Sequence, residues 1–163
     1  MKKILAILVL GLVVFAGNSV SISSEAAPDA PEITVREWLT ANNPDVSTTR
    51  GKVLLLDFWA TWCSPCVKGI PKLNELNDKY KDKGMQLIAL SQDKSSDAVR
   101  KLIEDKNINY HVAIDNGTAD WYEIKGYPTM VLVNTAGKIA WKGHPWQPGL
   151  ENVIKKALEN SAD

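Results

Sequence analysis

Continuous apolar runs alternate along the chain with segments in which apolar residues recur every three to four positions. Residues 53–59 are apolar except for Asp57, which predicts a central strand covered on both faces. After Cys66 the spacing changes to that of an amphipathic helix, which ends near Gly84 and carries Pro71 as an expected kink. The sequence therefore predicts a buried strand that leads directly into a helix.

The later part of the chain continues this alternation of strands and helices. Apolar patterning and turn residues predict strands over 85–90, 110–114, 129–134 and 138–141, and helices over 95–105, 118–124 and 150–158. The last two strands are separated by a short turn, so they form a hairpin. We expect an α/β fold: a three-layer α/β/α sandwich with a mixed central sheet and no second domain.

The first 26 residues have the layout of a secretory signal peptide. Two lysines precede an apolar run over 4–16, which is shorter than the roughly 20 residues of a membrane-crossing helix. Residues 27–31 are expected to be a linker and 32–163 the folded domain. Cleavage after Ala16 or Ala26, or retention as an N-terminal anchor, stays open. The pattern predicts a periplasmic or other extracytoplasmic protein.

The balance of charges excludes partners that would be held by the overall charge of the protein. The chain has 19 basic and 19 acidic residues, so its formal net charge is zero. No global field would hold it on nucleic acid or on an anionic membrane. We expect a monomer that binds its partners at a local site.

The two cysteines of the chain stand where the predicted strand becomes a helix. Only Ser64 and Pro65 separate Cys63 from Cys66, so a purely structural disulfide would close a very short loop and stabilise little. The helix start favours the thiolate of Cys63, and Pro65 fits the first helical turn and holds both sulfurs at bridging distance. The spacing predicts a redox-active dithiol, with Cys63 as nucleophile and Cys66 as resolving cysteine.

Asp57 is the charged residue of the buried strand. Burial should raise its pKa, so that the carboxylate can accept the proton that Cys66 must lose. Its negative charge would also disfavour the Cys63 thiolate, which favours a reductase over an oxidant. The alternative interpretation is an aspartate hydrogen-bonded at a strand end.

The motif Trp-Cys-Ser-Pro-Cys, Asp57 six residues before its first cysteine, Pro71 and the Gly-Tyr-Pro-Thr run at 126–129 resemble the thioredoxin superfamily over residues 50–160. Between Cys66 and Pro128 the chain is longer than a minimal thioredoxin by about a strand and a helix, as in exported TlpA/ResA-type reductases. The resemblance implies a thioredoxin fold and a thiol-disulfide oxidoreductase that needs no cofactor beyond its own cysteines. It also implies a cis-proline at Pro128 and a substrate surface formed by Trp62, Ser64, Pro65, Tyr127 and Pro128.

The same resemblance implies partners, although the chain departs from the family pattern at two positions. Protein thiols or disulfides would be the substrates, in cytochrome c maturation for one subfamily, and a membrane thiol-transfer protein the electron donor. Gly69 stands where many TlpA/ResA-type proteins have a glutamate, and Ala89 where minimal thioredoxins have a lysine. Asp57 would then be the single ionisable group that tunes the cysteine pair.

Two other functions use similar residues. A copper metallochaperone would hold Cu(I) with the dithiol, but related proteins have three residues between the cysteines and a nearby histidine. A thiol peroxidase would need a threonine where Ala60 stands. His111 and His144 fit no common zinc spacing with the cysteines, so no metal site is predicted. Trp59 is expected in the core, whereas partner contact and packing both stay open for Trp121, Trp141 and Trp146.

Overall fold

Strands and helices alternate along the chain, as the hydrophobic pattern predicts. The computed structural model describes residues 27–160. Its strands are β1 (Val35–Trp38), β2 (Val53–Trp59), β3 (Met85–Ser91), β4 (His111–Asp115), β5 (Thr129–Val133) and β6 (Ile139–Gly143). Its α-helices are α1 (Ser64–Tyr80), α2 (Ser96–Asp105), α3 (Thr118–Trp121) and α4 (Leu150–Glu159).

The six strands form one mixed sheet in the order β1-β4-β3-β2-β5-β6. β3 is parallel to both β2 and β4, whereas β1 and the β5–β6 hairpin pair antiparallel. All seven residues of β2 are buried, because strands flank it on both sides and helices or loops cover both faces. The mixed α/β sheet with a central β2 and a terminal hairpin confirms the predicted fold class.

Alternate residues of β2 point into two separate cores. Leu55 and Trp59 pack in the larger cluster, to which α1, α2 and α4 contribute. Leu56 and Phe58 pack in the smaller cluster on the opposite face, where Tyr122 follows α3. This alternation places Asp57 on the face that α1 covers, because it lies between Leu55 and Trp59 in a strand.

Three local features differ from the sequence expectations. β1 is not predicted, because its four residues carry two charges in the middle and pair only with β4 at the sheet edge. α1 ends at Tyr80 and continues as a 3-10 turn to Gly84, whose φ is 96°. α3 ends three residues early, and Glu123 beyond it adopts a left-handed φ of 51°.

The predicted signal peptide lies outside the described residues. In the segment expected to be a linker, the backbone of Pro28 accepts a hydrogen bond from Ile139 (2.9 Å), and Ala30 donates one to Gly137 (2.8 Å). Residues 28–30 therefore run beside the β5–β6 hairpin. In the part of the chain from 27 to 160, no helix has the length and apolar character needed to cross a membrane.

Candidate active site

Cys63 and Cys66 form a disulfide at the end of β2 and the beginning of α1. The S–S distance is 2.04 Å and the two Cα atoms are 5.2 Å apart. Cys63 is the N-cap residue of α1, and its Sγ accepts a hydrogen bond from the backbone N–H of Cys66 at 3.2 Å. Pro65 occupies the first helical turn, where its missing N–H leaves no helical hydrogen bond unmade.

This position determines how the reduced cysteines would behave. Backbone N–H groups at a helix start and the helix dipole both stabilise an anion, so they favour the thiolate of Cys63. Cys66 is 4% exposed and lies inside the first turn, whereas the neighbouring Ser64 and Pro65 are exposed. Cys63 is itself 7% exposed, so both cysteines are nearly buried beside these exposed residues.

Asp57 lies in the middle of the sheet, on the face of β2 that α1 covers. Its strand neighbours are Ala89 on β3 and Met130 on β5, and its Oδ1 atom has no hydrogen-bond partner among the described residues. Burial raises the pKa of Asp57 from 3.8 to about 7. The carboxyl group can therefore exchange a proton near neutral pH.

Ala89, which the sequence analysis aligns with the lysine of minimal thioredoxins, pairs directly with Asp57. A residue that the sequence reasoning missed, Tyr110, lies just before β4. Burial and the negative charge of Asp57 raise the pKa of Tyr110 well above its usual value, so its phenol stays neutral. Its position at the start of a predicted strand gave no signal of this proximity.

The Tyr127–Pro128 peptide bond is cis, as the resemblance to thioredoxins implied. The Tyr127 ring meets the Trp62 ring edge to face, with centroids 5.9 Å apart. Because Trp62 precedes Cys63 and Tyr127 precedes Pro128, this contact brings the cysteine motif and the cis-proline segment together. Trp62 is 67% exposed, so the pair forms an accessible aromatic surface beside the disulfide.

The other tryptophans occupy varied environments. Trp59 is 2% exposed and belongs to the core, as expected, although its indole N–H has no partner among the described residues. Trp141 packs against the larger cluster, whereas Trp121 and Trp146 are about half exposed. The Trp146 ring and Pro145 lie 3.5 Å from the position that a Cβ would occupy at Gly69. The space beside Gly69 is therefore occupied by the loop before α4.

Asp93, two residues after β3, is a second residue that the sequence reasoning missed. Its carboxylate accepts hydrogen bonds from the backbone N–H and the hydroxyl of Thr61, two residues before Cys63. A polar residue after a predicted parallel strand is a usable signal, because the carboxyl ends of β2 and β3 adjoin. Across residues 27–160, no group of three or more His, Cys, Asp and Glu side chains is placed to hold a metal ion.

Comparison with known proteins identifies the family of the chain. The Redoxin family model matches residues 25–158. The chain belongs to the redoxin family. Thiol-disulfide oxidoreductase ResA of Bacillus cereus is 36% identical over 132 residues, which cover 78% of this redoxin and 76% of the relative. ResA of Bacillus subtilis (strain 168) is 33% identical over 128 residues, or 77% of this chain and 69% of that one.

Solved structures agree with this assignment. The thioredoxin domain of a thiol-disulfide oxidoreductase from Bacteroides vulgatus superposes with a TM-score of 0.71 at 29% identity, covering 81% of this redoxin and 96% of that chain. A thiol:disulfide interchange protein from Bacteroides sp. gives a TM-score of 0.68 at 29% identity, with coverages of 82% and 90%. This redoxin has the thioredoxin fold and is a thiol-disulfide oxidoreductase acting on protein thiols or disulfides.

Proposed function

We propose that this redoxin is an extracytoplasmic reductase of protein disulfides, with Cys63 as nucleophile, Cys66 as resolving cysteine and Asp57 as proton acceptor. The observation that carries the proposal is the position of Cys63 as the N-cap of α1, covalently joined to Cys66 in the first helical turn. The signal-like pattern of the first 26 residues supports export. The match to ResA proteins supports the same class of activity.

The reaction proceeds by two thiol-disulfide exchanges. The Cys63 thiolate attacks one sulfur of the substrate disulfide, forms a mixed disulfide and releases one substrate thiolate. The Cys66 thiolate then attacks Cys63 Sγ, forms the Cys63–Cys66 disulfide and releases the second substrate thiolate. Two electrons move from the dithiol to the substrate, whose thiolates take up two protons. A membrane thiol-transfer protein, oxidised in turn, restores the dithiol.

Asp57 serves the second exchange. Cys66 is nearly buried and must lose a proton before it can attack, and Asp57 lies on the same face of the sheet with a pKa of about 7. Neither of its strand neighbours, Ala89 and Met130, is basic, so the ionised carboxylate has no cationic partner at these two positions. Its negative charge disfavours the thiolates of the reduced state, which makes the reduced protein a stronger reductant.

The substrate surface consists of the exposed residues that surround the disulfide. Trp62 and Tyr127 offer aromatic faces, and Ser64 and Pro65 flank the nucleophile on the helix. The backbone of Tyr127, before cis-Pro128, would pair with an extended substrate segment in the manner of strand addition. Such a surface suits an unfolded segment that carries a disulfide, and the haem-site cysteines of apocytochrome c are the substrate we propose.

The reduction potential tests the direction of electron flow. The purified protein is equilibrated in glutathione or dithiothreitol buffers, and tryptophan fluorescence follows the redox state because Trp59 and Trp62 adjoin the cysteines. We expect a potential near that of thioredoxin, about −270 mV. Cys63→Ser is the control and should show no transition. A potential above about −150 mV would identify an oxidant and contradict the proposed role of Asp57.

A further inference from the structure

A tight turn leads from the end of β2 to Cys63, and a residue outside β2 holds this turn in place. The backbone N–H of Cys63 donates to the carbonyl of Ala60 at 3.1 Å, so Thr61 and Trp62 are the two central residues of the turn. The Oδ2 atom of Asp93 accepts the backbone N–H of Thr61 at 2.9 Å, and its Oδ1 atom accepts the Thr61 hydroxyl at 2.6 Å. Both oxygens of one carboxylate therefore hold one residue of the turn.

Asp93 is itself fixed by the end of β3. The hydroxyl of Ser91 donates to Asp93 Oδ2 at 2.7 Å and accepts the backbone N–H of Asp93 at 3.1 Å. Ser91 is fully buried and pairs with Trp59, and the backbone N–H of Gln92 donates to the carbonyl of Trp59 at 2.9 Å. The carboxylate thus has a defined place relative to the end of β2, from which the turn departs.

We propose that Asp93 is a positioning residue that fixes the Ala60–Cys63 turn through Thr61 and so holds Cys63 at the N-cap of α1. The inference rests on the proposed role of Cys63 as the nucleophile. Hydrogen bonds to an ionised carboxylate are about twice as strong as neutral ones, and two of them on one residue restrict the turn more than one would. The amide that stabilises the Cys63 sulfur acts only while Cys63 keeps its N-cap position.

A positioning role of Asp93 and a direct effect of its charge predict opposite changes in the reactivity of Cys63. If Asp93 acted on Cys63 only through its negative charge, removal of that charge would favour the thiolate and increase reactivity at neutral pH. If Asp93 acts through the turn, its removal loosens the N-cap, disfavours the thiolate and decreases reactivity. A purely structural role would lower the melting temperature and leave the reactivity of Cys63 unchanged.

The test measures the rate at which iodoacetamide alkylates the fully reduced protein as a function of pH, with peptide mapping to identify the modified cysteine. We expect Asp93→Ala to lower the rate at neutral pH about tenfold and to move the midpoint of the pH profile upwards. Thr61→Val should show a smaller decrease, and Thr61→Ser, which keeps the hydroxyl, should stay close to the wild type. Thr61→Val added to Asp93→Ala should cause no further decrease, because the bond that it removes is already lost.

The control is Asp97→Ala, which removes an exposed carboxylate four residues further along and should leave the profile unchanged. If Asp93→Ala does not fold, as judged by circular dichroism, the pair Thr61→Val and Thr61→Ser carries the test. Unchanged or faster alkylation of Cys63 in the Asp93 and Thr61 variants would overturn the positioning role. Preferential alkylation of Cys66 in the wild-type protein would instead contradict the proposed function, and the inference about Asp93 with it.

Discussion

Two carboxylates that lie near α1 have opposite environments. Asp57 lies in the sheet beneath the helix, has an unbonded Oδ1 atom, and burial raises its pKa to about 7. Glu151 at the start of α4 accepts hydrogen bonds from Lys79 and Lys72, which lower its pKa to about 2. The phenol of Tyr80 also donates to Glu151, at 3.2 Å.

The difference contrasts the proposed chemical use of the Asp57 carboxylate with the structural use of the Glu151 carboxylate. The neighbouring lysines keep Glu151 ionised well below the pH at which a free glutamate takes up its proton, and the group joins α1 to α4. Asp57 is excluded from water and has no cationic strand neighbour. Its pKa therefore lies close to neutral pH, where the carboxyl group can take up and release a proton. The two groups should therefore make the stability of the fold depend on pH in opposite directions.

The largest expected effect comes from Asp57→Asn. Because the pKa of Asp57 is higher in the folded than in the unfolded protein, ionisation destabilises the fold as the pH rises from about 4 to about 7. The variant lacks this loss, so it should be more stable than the wild type by about 4 kcal/mol above neutral pH, since each pKa unit corresponds to about 1.4 kcal/mol. Urea unfolding of the oxidised protein across this pH range measures the difference.

The shape of this difference matters more than its size. We expect the two proteins to converge below about pH 4, where Asp57 is protonated in both the folded and the unfolded state. Asp82→Asn, which changes an exposed carboxylate in the 3-10 turn, is the matched control and should follow the wild type. A constant offset at all pH values would mean that folding does not raise the pKa of Asp57, and the contrast with Glu151 would fail.

The sequence predicts the first of these regions far better than the second. Residues 53–59 are apolar except for Asp57, so the burial of Asp57 and the placement of Cys63 at a strand-to-helix junction follow from local pattern alone. The Glu151 cluster is formed by side chains more than 70 residues apart, and no local spacing indicates that α1 and α4 meet there. The position of Asp93 after a parallel strand is a usable signal, but its contact with Thr61 forms only once β2 and β3 are paired.

A smaller effect is expected from Glu151→Gln. The pKa of Glu151 is lower in the folded than in the unfolded protein, so its stabilisation is present above about pH 4.5 and lost as the pH falls towards about 2. Since the lysines are more than one third exposed, solvent screens the ion pairs, and we expect a loss of only about 1 kcal/mol at neutral pH. Urea unfolding at low and high salt measures it.

Added salt should reduce this loss, because the partners of Glu151 are charged and accessible to solvent. Lys101→Gln, which breaks an exposed pair with Asp105 within α2, is the control and should cost less. A loss that persists undiminished in high salt would point to the neutral hydrogen bond of Tyr80 as the main contribution. The contrast between an ion-paired and an unpaired carboxylate would then be weaker than the pKa values indicate.

The smallest effect is expected from Gly69→Ala, which changes α1 and leaves both carboxylates in place. Gly69 lies on α1 between Cys66 and Lys72, and a Cβ there would make ordinary contacts of 3.5 Å with Pro145 and Trp146. Gly69→Ala should therefore stabilise the fold by about 0.5–1 kcal/mol, because alanine loses less backbone entropy in a helix. The gain should be the same at all pH values, since neither Asp57 nor Glu151 changes its surroundings.

Gly84→Ala provides the matched control for that substitution. Gly84 has a φ of 96°, which an alanine adopts only with strain, so this change should destabilise the fold by about 1 kcal/mol or more although its nearest contact is no tighter. Opposite signs for the two substitutions would show that backbone conformation decides the outcome at each glycine. If Gly69→Ala were destabilising instead, the loop of Pro145 and Trp146 would be packed too closely against α1 to move aside for a Cβ. The same contact would then exclude a glutamate at position 69.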